Sequence, residues 1–268
     1  MEKELGVLFI GDVFGQPGID AVKKHLPELK QKYQIDLVIA QGENTSGRKG
    51  LNYEDYQQLK NSGVNVITLG NHVWANQDIF NFIESADVLR PYNVDSEDYP
   101  GHGTNVFNIN NIKIRVTSML GRNFNKLNNP WKQSEADSFF DAYDEIENSI
   151  TDDEDFHVID FHAETTSEKN VFGLYLDGKA DALVGTHTHV QTNDAKILPE
   201  GLLYITDAGM TGPANAAIGA NFQEVYEKMR YDKRVKFVVS QNPTQFNGVY
   251  LFLSTNKKHR KIVPINIF

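Results

Sequence analysis

The chain has 268 residues, 40% hydrophobic and 23% charged, which supports a large globular core and excludes a disordered protein. Its net charge of −10 disfavours sequence-independent binding to a long phosphate backbone, so duplex nucleic acid is not an expected partner. The absence of cysteine excludes disulfides and thiolate metal sites. No apolar run approaches the roughly 20 residues that span a bilayer, so no membrane partner is expected. The start of the chain, with Glu2 and Glu4, lacks the pattern of a secretory signal, and the expected location is the cytoplasm.

In chain order, residues 5–10 form an apolar run that predicts a strand ending at Gly11 and Asp12. Residues 17–33 predict a helix, with Pro17 in its first turn and Ile19, Val22 and Leu26 on its apolar face. The strand 37–40 ends in Gln41, Gly42, Glu43 and Asn44, a helix follows over 53–61, and the run 64–69 ends in Gly70, Asn71 and His72. Residues 75–84 predict a third helix, with Ile79, Phe80 and Ile83 inward. Residues 105–116 read as a hairpin turning at Asn110 and Asn111. Residues 133–149 predict an amphipathic helix with its acidic side in water. The strand 156–159 leads into Asp160, Phe161, His162, Ala163 and Glu164, and 182–184 leads into Gly185, Thr186, His187, Thr188 and His189. A strand over 202–206, a helix over 222–230 and late antiparallel strands over 235–239, 249–253 and 261–267 complete the chain. Strand–helix alternation argues for parallel pairs with right-handed crossovers. Hairpins added to that rhythm predict two mixed β-sheets packed together and flanked by helices. No linker or repeat divides the chain, so one domain over 1–268 is expected.

Five of these strands end in carboxylate, amide or imidazole groups, the side chains that bind metals. Ligands in open α/β sheets collect beyond the carboxyl ends of strands. This brings Asp12, Glu43, Asn44, Asn71, His72, His162, His187 and His189 toward one crevice. His187 and His189, one residue apart on an extended backbone, would point the same way. Singly, Asp12 reads as a cap, Asn71 as a turn residue and His162 as a hydrogen-bonded core histidine. Jointly they read as a metal site, because a purely structural reading must account for such residues at one strand end after another. His25, His102, His157 and His259 lack such neighbours and read as ordinary.

Gly11-Asp12, Gly42-Glu43-Asn44, Gly70-Asn71-His72, the lone strand-end His162 and the stretch from Gly185 to His189 resemble the calcineurin-like metallophosphoesterases, and more narrowly their YmdB-like branch. The likeness extends through Thr166 to Lys169, Tyr204 to Pro213 and Asn247 to Val249. The broader superfamily has His where Phe14 stands and Asp where Glu43 stands, and the branch shares both changes. Arg48 and Lys49 add two cations to a loop that is usually small and Gly-rich in the branch, Ala217 stands where Ser is common, and 239–246 looks unlike its relatives.

The resemblance implies a four-layer αββα sandwich carrying two metal ions. Asp12, Glu43, Asn44 and His189 would hold one, and Glu43, Asn71, His162 and His187 the other, with Glu43 bridging. The donor set suits iron or manganese, with zinc admissible, in divalent or mixed-valence form. A hydroxide bridging the metals would attack phosphorus, and His72 would donate a proton to the leaving oxygen. The implied activity is a phosphodiesterase acting on nucleoside 2′,3′-cyclic monophosphates. A phosphomonoesterase or protein phosphatase is the alternative enzyme, and a low-turnover metal-loaded regulatory protein is the alternative class. Arg48, Lys49 and Arg122 are weaker candidates for phosphate contact. Self-association into a homo-oligomer is the default for such an enzyme.

Overall fold

The computed structural model describes residues 2–95, 97–151 and 154–268. Strand β1 (Glu4–Ile10) is followed by the short β2 (Asp12–Val13), helix α1 (Gly15–Tyr33), β3 (Leu37–Gln41), α2 (Tyr53–Asn61), β4 (Val66–Thr68) and β5 (Val88–Leu89). The hairpin β6 (Thr104–Ile109) and β7 (Ile112–Leu120) leads to α3 (Phe139–Ser149), β8 (Phe156–His162), α4 (Thr166–Leu176) and β9 (Ala182–Thr186). The chain ends with β10 (Lys196–Ile197), β11 (Leu203–Ile205), β12 (Met210–Pro213), α5 (Phe222–Tyr231), β13 (Thr244–Ser254) and β14 (Lys261–Ile267).

The strands form two mixed sheets. One runs β2-β12-β13-β1-β3-β4-β5, with β14 also against β13, and the other runs β10-β11-β9-β8-β7-β6. Strands β1, β3, β4 and β5 pair in parallel, as do β7, β8, β9 and β11. Side-chain alternation sorts the core into layers. Leu5, Val7, Phe9, Leu37 and Ile39 of the first sheet face Val116, Val158, Ala182 and Val184 of the second. The opposite face of the first sheet, Leu8, Ile10 and Val38, packs on Ile19, Val22 and Leu26 of α1 and Leu59 of α2. The opposite face of the second, Ile159, Phe161 and Leu183, packs on Tyr143 of α3 and Phe172 and Leu176 of α4. This is the four-layer αββα sandwich. Each fully buried Leu or Phe contributes about 1.5–3 kcal/mol. Among the described residues no helix is long and apolar enough to cross a membrane.

Local hydrogen bonding overrides three of the predicted elements. Residues 75–84 form no α-helix; 3-10 turns Val73–Ala75 and Gln77–Asn81 stand there, parted by Asn76 in extended conformation. The Asn76 side chain accepts from the Asp78 amide and caps the second turn, a bond that competes with a continuous helix. The helix expected from 133 starts only at Phe139, capped by Ser138, because Gln133 accepts from the Asp95 amide and donates to the Glu135 carbonyl. Residues 235–239 join neither sheet; Val238 and Val239 run along the 219–221 loop, held by Asn221 N–H to Val238 O and Ser240 N–H to Gly219 O. Helix α4 was missed, although Thr165 caps its start: the Thr165 hydroxyl accepts the Glu168 backbone N–H and donates to the Glu168 carboxylate.

Candidate metal centre

The face between the sheets turns polar at the strands' carboxyl ends. On β8, Val158 lies in the core, Asp160 follows on the same face, and His162 ends the strand. Gln41 on β3, Thr68 on β4 and Thr186 on β9 occupy equivalent positions and are buried. Beyond these ends lie Glu43, Asn44, Asn71, His72, His187 and His189, with Asp12 on β2 opposite them.

Three donors converge on His162 Nε2: Glu43 Oε1 at 3.1 Å, Asn71 Oδ1 at 3.1 Å and His187 Nδ1 at 2.9 Å. Donor atoms of Glu43, His162 and His187 all lie within 4.8 Å of one another. The second group adjoins the first through Glu43. Asn44 Nδ2 is 3.3 Å from Glu43 Oε1 and 3.2 Å from His189 Nε2, which stands 3.6 Å from Asp12 Oδ1. Asp12 Oδ2 accepts the His187 backbone N–H at 3.1 Å. Asp12 Oδ1 is fully buried and has no hydrogen-bond partner among the described residues. A buried, unpaired carboxylate oxygen facing an imidazole and an amide is a costly arrangement that a cation would satisfy. The residues present therefore fit a divalent metal ion.

The clustered charges shift one another. Burial works to raise the Glu43 carboxyl, but the His162 and His72 imidazoles outweigh it and hold it well below the usual carboxylate range. Burial works to lower His162, but Glu43, Asp12 and Asp160 push it up to about 9. Burial, reinforced by His162, pushes His187 down to about 3. Burial raises the Asp12 carboxyl despite His189 and His162.

His187 and His189 do not lie on extended backbone. Strand β9 stops at Thr186, and the two residues take φ of 98° and 64°, the left-handed region. Each such residue costs of order 1–3 kcal/mol. Backbone turns, not the strand pleating expected from their spacing, send His187 to His162 and His189 to Asp12 and Asn44. Neighbours fix each ring. His187 Nε2 is 2.9 Å from Glu164 Oε2, and His189 Nδ1 donates to Ile218 O at 3.1 Å. Thr186 Oγ1 donates to Asp160 Oδ1 at 2.7 Å, so its oxygen accepts from His162 Nδ1 at 2.9 Å and turns Nε2 toward the cluster.

His72 caps the 3-10 turn Val73–Ala75, and its backbone N–H donates to Glu43 Oε2 at 2.8 Å. Its Nδ1 lies 2.9 Å from Glu43 Oε1 and 3.2 Å from Asn44 Oδ1. Its side chain keeps 25% exposure where Glu43 keeps 1%. His72 therefore stands at the cluster's solvent side, lining a cleft of about 660 Å³ with His187, His189, Arg48 and Lys49. The cleft lining also carries an apolar wall: Phe14, Ile218, Val225, Met229 and Phe237. Arg48 lies over the Phe237 ring at 5.2 Å. Arg122 is not brought there; it pairs with Glu135 at 3.4 Å and lines a separate depression with Phe139 and Val171.

Sequence reasoning missed the supporting layer. Lys169 Nζ bonds Asp207 Oδ2 and Thr186 O, both at 2.8 Å, and Asp207 Oδ2 also accepts from the Thr188 hydroxyl at 2.8 Å. Gly70 passes so close that a Cβ there would stand 2.4 Å from His162 Cδ2 and 2.5 Å from Glu43 Oε2. The signal available was parity: Gln41, Thr68, Asp160 and Thr186 are polar where the strand pattern calls for a core residue.

The profile of the YmdB-like protein family matches residues 8–265. The chain belongs to this family. Its relatives include the 2′,3′-cyclic-nucleotide 2′-phosphodiesterase of Bacillus subtilis, 40% identical over 254 residues, covering 94% of this chain and 92% of that protein. A crystal structure of a phosphatase from Mycoplasma pneumoniae superposes with a TM-score of 0.90 at 40% identity, over 100% of this chain and 94% of the other. A Haemophilus influenzae NAD nucleotidase, at 15% identity and a TM-score of 0.60 over 100% of this chain and 57% of the other, shares the fold alone.

Proposed function

We propose that this chain, acting as one domain, is a two-metal phosphodiesterase that hydrolyses small phosphodiesters, with nucleoside 2′,3′-cyclic monophosphates as the leading substrates. The observation that carries the reading is the pair of donor groups sharing Glu43, one containing the unpaired Asp12 Oδ1. Asp12, Glu43, Asn44 and His189 would hold one ion and Glu43, Asn71, His162 and His187 the other. Iron or manganese is the favoured occupant and zinc the third candidate. Bound there, such ions supply an activated water and neutralise the phosphoryl oxygens.

The chain's own groups supply the rest. Glu43 and Asn44 engage His72 Nδ1, so Nε2 is the nitrogen placed to hand a proton to the leaving oxygen. Glu164 and the Ile218 carbonyl keep the rings of His187 and His189 aimed inward. The apolar wall suits the base of a nucleoside, and the name of the Bacillus subtilis relative supports the substrate class.

The test is turnover of 2′,3′-cyclic nucleotides, linear diesters and phosphomonoesters by purified protein, with elemental analysis and with and without chelator. Diester hydrolysis abolished by chelation and restored by metal is the expected result. Activity that survives metal removal refutes the metal mechanism. Preference for monoesters assigns a phosphatase, and negligible turnover by fully metallated protein assigns a regulatory binding protein.

A further inference from the structure

The cleft continues past His72. Lys49 and His72 also line a second recess of about 170 Å³, whose wall includes Asn71, Trp74, Lys126 and Asn128. No carboxylate lines it, in a chain with 36 acidic and 26 basic residues. Some exposed lysines elsewhere pair with acids, as Lys132 does with Asp98 and Lys233 with Glu227. Neither the Lys49 nor the Lys126 ammonium has such a partner among the described residues. Trp74, also in the wall, is buried and its indole N–H is unpaired. The wall is rigid: Trp74 stacks on Tyr99 at 5.7 Å, and Trp131 donates to the Asn71 carbonyl at 2.9 Å. Two uncompensated cations over a stiff, hydrogen-bonding wall form a receptor for an anion.

We propose that this recess seats a second phosphate of the substrate, so that the preferred substrate is a nucleoside 2′,3′-cyclic phosphate carrying a phosphate at its 5′ end. The inference rests on the phosphodiesterase reading above. In such a nucleotide the base and the 5′ carbon leave the ribose from opposite ends, on either side of the cyclic phosphate. With that phosphate at the metal centre, the base falls toward the apolar wall and the 5′ group toward Lys49 and Lys126. The same chemistry is offered by a free 5′-phosphate and by the internucleotide phosphate of a short oligonucleotide. The acidic surface as a whole disfavours long chains.

The experiment compares kcat/KM for three substrates on the metallated protein. They are a nucleoside 2′,3′-cyclic phosphate with a free 5′-hydroxyl, the same compound 5′-phosphorylated, and a dinucleotide ending in the cyclic phosphate. At least one phosphate-bearing substrate is expected to be favoured by about 10-fold at low salt, mainly through KM, with the advantage shrinking as salt rises. A preference for the 5′-phosphorylated compound alone identifies a terminal phosphate, and one for the dinucleotide alone an internucleotide phosphate. Lys126→Ala should bring the ratio toward one and Lys126→Arg should largely keep it. Equal kcat/KM for all three, or a preference that Lys126→Ala leaves intact, overturns the proposal. Calorimetric affinity for a nucleoside 3′,5′-bisphosphate against the 3′-monophosphate reads the recess without turnover. Equal affinities overturn it there too, whereas a protein that hydrolyses no diester but binds the bisphosphate more tightly loses only the phosphodiesterase reading.

Discussion

Replacing Gly70 by alanine tests the cluster without removing any ligand. The added methyl would stand 2.4 Å from His162 Cδ2 and 2.5 Å from both His162 Nε2 and Glu43 Oε2, about 1 Å inside ordinary contact. Neither neighbour is free to swing: His162 Nδ1 is held by Thr186 at 2.9 Å, and Glu43 Oε2 accepts the His72 backbone N–H at 2.8 Å. Forcing a methyl into packed space costs about 1–3 kcal/mol. At about 2–4 °C per kcal/mol for a chain near this size, the melting temperature should fall by roughly 2–12 °C. A 1 Å displacement of positioning groups costs about 10²-fold in rate. Thermal unfolding by circular dichroism, metal content and diester turnover, measured on one preparation, check all three links. Gly47→Ala is the control, because nothing lies within 4 Å of its Cβ and only its φ of 69° is strained, a penalty of about 1–2 kcal/mol. A Gly70→Ala protein with unchanged melting temperature, metal content and turnover would refute the geometry argued for Glu43 and His162.

His72→Ala should cut turnover by about 10²–10⁴ while metal content stays intact, and metal loss in that variant would reassign His72 to the ligand set. Lys169→Met strands the buried Asp207 carboxylate and should destabilise the fold by about 3–5 kcal/mol in urea titration; a change under 1 kcal/mol would show the pair to be structurally dispensable. Burial, with help from Arg115, pushes His157 down to about 3, so between pH 6.5 and 3 the unfolded chain binds more protons there than the folded one. Stability should therefore fall with pH across that window at up to about 1.4 kcal/mol per unit. His157→Leu should flatten that part of the slope, and identical pH–stability curves for the two proteins would contradict the burial argument.

The strand ends were legible in the sequence because a buried strand announces itself by an apolar run and its end by the first polar residue that follows. That rule located Asp12, Glu43, Asn44, Asn71, His162, His187 and His189 without any tertiary information. It could not locate the partners that aim them. Glu164 and the Ile218 carbonyl meet His187 and His189 only through the left-handed turns after β9, and a left-handed conformation at histidine leaves no mark in the sequence. Likewise, the helix expected over 75–84 fails for want of one side-chain bond. Its apolar spacing holds only in part, since Ile79 and Ile83 are buried but Phe80, expected inward, is exposed, and the bond from Asp78 N–H to Asn76 decides the backbone. Arg122 shows the converse: it follows a strand end as the ligands do, yet Glu168 accepts its backbone N–H and Glu135 draws its guanidinium elsewhere.

A single physical gradient links the core to the centre. Along the inter-sheet face, Val158 gives way to Asp160 and then His162, Ile39 to Gln41, Val66 to Thr68, and Val184 to Thr186, each in steps of two residues. Each polar group taken into that layer must find a partner or cost about 1–3 kcal/mol. Most do: Gln41 accepts from Glu43 N–H, and Thr186 joins Asp160 to His162. Those bonds also hold the proposed ligands in place, so the groups that make this end of the sandwich expensive to bury are the ones that position the cluster. Among the described residues of this layer, the residual cost falls on Asp12 Oδ1, Thr68 Oγ1 and Asp160 Oδ2. Burial pushes the Asp160 carboxyl up to about 7, the response expected of a carboxylate whose surroundings were arranged for its neighbour His162 instead of for itself. The fold thus concentrates its unmet electrostatic demand on the acidic side of the cluster, where a bound cation would relieve it.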